Sequence, residues 1–69
     1  MEEFLTHLMG KKIDVNCGST ATFRGDVIDV KDGILYLRDE TERVAYVAID
    51  KIALIYEVKE HASRPGFVG

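Results

Sequence analysis

Phe23-Arg24-Gly25-Asp26-Val27-Ile28-Asp29-Val30-Lys31-Asp32-Gly33-Ile34-Leu35-Tyr36-Leu37-Arg38 decides the fold. Phe23 and Val27 lie in one phase of a period-two pattern, Ile28 and Val30 in the other. That change of parity just after Gly25 predicts a bulge or sharp bend, where one long strand over residues 21–31 passes from one part of a sheet to another. Lys31-Asp32-Gly33 reads as a tight hairpin, because Asp-Gly accepts the left-handed backbone of turns whose twist matches paired strands. Residues 34–38 form the return strand.

Outward from this hairpin, the alternation of Ile13, Val15 and Cys17 with Lys12, Asp14 and Asn16 predicts a preceding half-buried strand. It places the Cys17 thiol among buried, inert groups. Residues 2–9 read as a short helix, with Phe4, Leu5, Leu8 and Met9 on one face, Glu2 and Glu3 at the positive end of its dipole, and Gly10 as its stop. Beyond the charged loop Asp39-Glu40-Thr41-Glu42 come two nearly continuous apolar runs, residues 44–49 and 52–56, separated by Asp50-Lys51. Continuous runs imply burial on both faces. A short chain has little material for that, so the helix is expected to cover one side and a neighbouring subunit the other. Residues 1–58 are expected to form one domain and residues 59–69 a flexible tail.

Composition narrows the function classes. An apolar fraction of 46% fits a globular fold over a disordered one. A chain of 69 residues buries only about 60% of its unfolded surface, so its stability is marginal without help. Cys17 is the one cysteine, and His7 and His61 lack ligand spacing, which removes an intrachain disulfide and a zinc site as that help. Oligomerisation remains. No metal, no cofactor and no catalytic set of nucleophile and base is expected, so the chain reads as a non-enzyme. No apolar run approaches the roughly 18 residues that cross a bilayer, and Met1-Glu2-Glu3 lacks the basic start of a signal peptide. A cytoplasmic location and no membrane partner are therefore expected. The net charge of −3 argues mildly against nucleic acid, which binders meet with a basic footprint.

The sum is a mainly β protein, a short helix followed by a five-stranded, strongly bent antiparallel barrel of the SH3-like class. Phe4-Leu5-Thr6-His7-Leu8-Met9-Gly10-Lys11-Lys12-Ile13-Asp14-Val15 resembles the short helix, Gly-Lys and first strand of the Sm/LSm/Hfq family. Phe23 to Val30 resembles its bent second strand, Ile34 to Asp39 the third, and Val47 to Ile55 the last two strands with their short turn. The resemblance implies an Sm-like fold and a homo-oligomeric ring of roughly five to seven copies. Its seam would pair the fourth strand of one copy with the fifth of the next, and Tyr46, Val47, Ile49, Leu54, Ile55 and Tyr56 are the candidate interface.

The same resemblance implies single-stranded RNA at the pore, with Lys31 and Lys51 in the pore-facing loops to neutralise phosphate. Tyr46 would offer a stacking face, and Asp29 and Asp32 flank the loop, where turn capping is the commoner use of aspartate. Lys11, Lys12 and Arg24 are candidates for a basic patch on the helix side. Two departures support an alternative. The second-to-third strand loop is cut to Val30-Lys31-Asp32-Gly33 with no Asn following, and the last turn carries Asp50-Lys51 where the family has Arg-Gly or Lys-His. The alternative is a structural or protein-interaction ring without RNA readout, its protein partner unspecified. A third reading is a monomeric SH3-like or PRC-type adaptor barrel.

Overall fold

The structure is a computed structural model, which describes residues 1–19 and 21–59. The tail expected over residues 59–69 therefore lies, apart from Lys59, outside the described residues. The chain runs α1 (Glu2–Thr6), β1 (Lys12–Asn16), β2 (Thr22–Lys31), β3 (Ile34–Arg38), β4 (Val44–Ala48), a 3₁₀ turn (Ile49–Lys51) and β5 (Leu54–Glu57). The strands form one antiparallel sheet in the order β4-β3-β2-β1-β5. Mainly β architecture with a short N-terminal helix is thus as expected. The sheet is open: β4 and β5, consecutive in the chain, occupy its two opposite edges.

β2 is the strand that makes this order possible, since it pairs with β1 over Thr22–Asp26 and with β3 over Asp26–Lys31. Val27 pairs with Leu37, yet Asp29 pairs with Tyr36, so Ile28 is the extra residue of a β-bulge. The bulge keeps Val27 and Val30 both directed at the core despite their odd spacing. Gly25 sits opposite the end of β3. A Cβ placed there would lie 2.9 Å from the Arg38 carbonyl oxygen and 3.1 Å from Leu37 Cβ. Only glycine lets β3 approach this closely. The hairpin turn also forms as expected, with Asp32 at φ 54° and Gly33 at φ 77° between the paired Lys31 and Ile34.

The core is one cluster: Leu5 and Leu8 from the helical segment, Ile13 and Val15 from β1, Val27 from β2, Leu35 and Leu37 from β3, and Ile49. None of the described polar or charged residues is buried. Two expectations need correction. The helical face is Leu5 and Leu8 alone, because α1 ends at Thr6 and tightens into three-residue bonds (Leu8 N–H to Leu5 O, Met9 N–H to Thr6 O); Phe4 and Met9 remain exposed. Cys17 is exposed as well, because β1 stops at Asn16. The Asn16 side chain holds the turn instead, accepting from Gly18 N–H and donating to the Ser19 and Ala21 carbonyls.

The closing strands were expected to be covered by the helix on one side and a neighbouring subunit on the other, and the single chain shows which of their residues it covers itself. Val47 and Ile55 pack on the core and Ile49 is buried within it, whereas Tyr46 is 70% exposed, Tyr56 61% and Leu54 47%. α1 packs on β2, and the helical segment supplies Leu5 and Leu8 to the core against which Val47 and Ile55 pack.

Gly25→Ala is expected to cost on the order of 1–3 kcal/mol, because the added methyl meets backbone. Denaturant unfolding should show a lower midpoint at unchanged slope; an unaltered midpoint would mean that β3 can move away at no cost.

Candidate functional site

The outward side chains of β3 and β4 build the first surface of note. Tyr36 and Tyr46 are partners across the sheet, their ring centroids 5.1 Å apart in an edge-to-face arrangement. Lys31 Nζ lies 5.9 Å from the Tyr36 ring centroid and 3.9 Å from Asp29 Oδ2, while Asp29 Oδ1 accepts the Val30 N–H. Asp29, Lys31 and Tyr46 therefore meet in one cluster, and Tyr36, which sequence reasoning missed, joins it. Its signal was available: Leu35 and Leu37 alternate with Ile34, Tyr36 and Arg38, so Tyr36 had to face outward opposite β4.

The opposite edge presents Leu54 and Tyr56 of β5, paired with Asn16 and Asp14 of β1. Val44 at the head of β4 is exposed too. Of the six interface candidates, Tyr46, Leu54 and Tyr56 point outward from the two edges, while Val47, Ile49 and Ile55 belong to the core side.

The helix-side cations are engaged with acids. Arg24 grips Asp14 with two hydrogen bonds, Nε to Oδ1 at 2.7 Å and a terminal nitrogen to Oδ2 at 3.0 Å. That guanidinium holds the Asp14 carboxyl below the ordinary carboxylate range, against a smaller opposing effect of desolvation. Lys11 Nζ lies 3.9 Å from Glu57 Oε2. Lys11 and Lys12 line a shallow groove together with Asp26, Glu57 and Lys59, and Arg24 is not part of it. The three candidates therefore divide between two places: Arg24 is paired with Asp14, while Lys11 and Lys12 share a groove that also holds Asp26 and Glu57.

The two turns expected at the pore do converge. The Ile49 N–H donates to the Gly33 carbonyl, and the Glu2 carboxylate reaches over from α1 to accept the Gly33 N–H at 2.5 Å. Between them opens a groove of about 580 Å³ lined by Met1, Asp32, Gly33, Ile49, Asp50 and Ile52. Lys51 is exposed beside it but does not line it. Asp50 and the groove itself escaped the sequence reading, because a shared end for residues 32–33 and 49–52 follows only once the β2–β3–β4 meander is in register. No described trio of metal-ligating side chains is close enough to hold a metal ion. No described helix is long and apolar enough to cross a membrane.

A family model for a domain of unknown function, DUF6897, matches residues 1–58. The chain belongs to the DUF6897 family. The match spans α1 and all five strands of the DUF6897 domain, and with them both sheet edges and the groove. No curated protein and no solved structure matches it.

The acid–base pairs of this DUF6897 domain set its response to acid. Asp14 is joined by Asp39, whose carboxyl is held low by the hydroxyl and N–H of Thr41 and by the Arg43 N–H. A carboxyl with a lower pKa folded than unfolded contributes stability above its unfolded value. As pH falls below about 4, the unfolded chain takes up the proton first and that contribution is lost. Asp39→Asn and Asp14→Asn should each weaken the fold at pH 7, and the deficit should shrink at pH 3. Denaturant midpoints at the two pH values check this; an equal deficit at both would assign the effect to packing.

Proposed function

We propose that the protein is a subunit of a closed homo-oligomeric ring of the Sm-like type, a non-catalytic scaffold that presents binding surfaces to a protein partner. One observation carries this reading: two unpaired sheet edges on one chain, bearing exposed Tyr46 at one and Leu54 and Tyr56 at the other. An exposed apolar edge is a template for pairing with another chain. Joining β4 to β4 would leave every β5 edge open. Joining β4 of one copy to β5 of the next uses both, and head-to-tail contacts that close leave no edge at all. The resemblance to the Sm/LSm/Hfq family implies the same seam. The scaffold role is supported over RNA readout by the pairing of Lys11, Arg24 and Lys31 with carboxylates and by the acidic residues at the convergent turns.

The test is a mass. Native mass spectrometry of the full chain should give a multiple of the 7.7 kDa subunit. Leu54→Lys with Tyr56→Lys places two charges on one edge and should release monomer while the far-ultraviolet β signature persists. A wild-type species of 7.7 kDa at micromolar concentration ends the ring reading and favours a monomeric adaptor.

A second reading, weak binding of single-stranded RNA, draws on the exposed Tyr46 beside Tyr36 with Lys31 over it. Aromatic faces hold unpaired bases at about 1–3 kcal/mol each. Fluorescence anisotropy with oligo-uridine and oligo-adenine should then show binding that weakens as salt rises. No salt-sensitive signal at micromolar protein removes RNA and leaves the protein scaffold.

A further inference from the structure

The groove between α1, the β2–β3 turn and the 3₁₀ turn differs from the two sheet edges in being a concave surface lined within one chain. Its apolar lining is Met1, which is 60% exposed, the buried Ile49 and the half-buried Ile52. Its rim carries two carboxylates, Asp32 and Asp50. The Glu2 carboxylate accepts from the Gly33 N–H, which ties the helix to the turn. Neither Asp32 nor Asp50 makes a hydrogen bond or ion pair among the described residues. This differs from Asp14, Asp29 and Asp39, which all have partners on the chain.

An apolar lining with two unspent negative charges selects one kind of occupant. An anion, including a nucleic-acid phosphate, meets repulsion from both carboxylates. A purely apolar side chain would desolvate them without replacing their water. A lysine or arginine satisfies both parts, because its aliphatic stem lies on apolar surface while its head stays at the polar rim. Arginine fits better, since its planar fork can donate to two carboxylates at once. We infer that this groove is a docking site for a basic side chain, preferably arginine, presented with apolar neighbours on an extended segment of a partner protein. The inference goes beyond the ring reading and does not need it, since no lining residue comes from a second copy.

The test uses the full chain labelled at the methionine and isoleucine methyl groups and observed by nuclear magnetic resonance. The probe is a short capped peptide with a central arginine between leucines. Two companions replace that arginine with citrulline, its neutral isostere, or with glutamate. Arginine peptide should shift the Met1, Ile49 and Ile52 methyls, more weakly as salt rises, while the citrulline and glutamate peptides leave them in place. Asp32→Asn with Asp50→Asn should weaken binding on the order of tenfold. Asparagine tolerates the left-handed backbone at position 32, so the turn is kept.

Equal shifts from the citrulline peptide, no shifts at millimolar peptide, or movement of the same methyls by oligo-uridine would each overturn the inference. The chain's own Arg64 is checked by Arg64→Ala without peptide. If that change alone moves the three methyls, the groove serves this chain's own segment and not a partner. Measuring a monomeric edge variant beside the wild type separates the two proposals: arginine binding that survives loss of the ring supports the groove whatever becomes of the seam.

Discussion

The close approach of β2 and β3 at Gly25, followed by the bulge at Ile28, is the constraint from which the rest of the structure follows. A straight ten-residue strand could serve one neighbour along its length and expose alternate residues to solvent. Here β2 serves β1 with its first half and β3 with its second, and the bulge restores inward facing for Val30 after Val27. The Val27 backbone also receives Gly10 N–H and donates to the Lys11 carbonyl, so the exit of the helix is fastened to the same point. One cluster of eight apolar residues then suffices as the core.

That arrangement determines what is left outside. Because β1 lies between β2 and β5, and β3 between β2 and β4, the last two strands end at opposite margins although only the residues from Ile49 to Ala53 separate them. The 3₁₀ turn resolves the geometry by burying Ile49 and swinging the chain across the core. Edge exposure is thus built into the topology. It is not a failure of local packing, since Val47 and Ile55 face inward on the same two strands.

The features legible in the sequence were those with a local physical cause. Parity at Val27 and Ile28 announced the bulge, Asp32-Gly33 the two-residue turn, and the acidic loop the segment that Asp39 organises through Thr41 and Arg43. Illegible features depended on where an element stops or on what lies across the sheet. Cys17 continued an alternation that Asn16 had already ended by turning its amide onto Ser19 and Ala21. Met9 lies beyond the helix that forms, and Phe4, though inside it, stays exposed while Leu5 takes the core position. Arg24 and Lys11 looked like a patch because Asp14 and Glu57, ten residues upstream of Arg24 and at the far end of the chain, could not be placed beside them without the register. The acidic groove needed three distant segments at once.

Assembly and recognition are separable in this design, and their combination has a consequence for strength. The proposed seam needs two copies, whereas every residue lining the groove belongs to one chain. A single basic side chain on a rim of two exposed carboxylates binds weakly, because solvent screens both charges and the ordering of the peptide is costly. The proposed ring would repeat the groove at fixed spacing around its axis, so a partner carrying several arginines on one chain would engage the second groove as an intramolecular event. Effective concentrations in the millimolar range would then raise avidity by about 10²–10⁴ with no new contact. In the proposed ring, the marginal stability expected of a lone chain this short and the weak affinity of one groove would be answered by the same step, the pairing of β4 with the β5 of another copy.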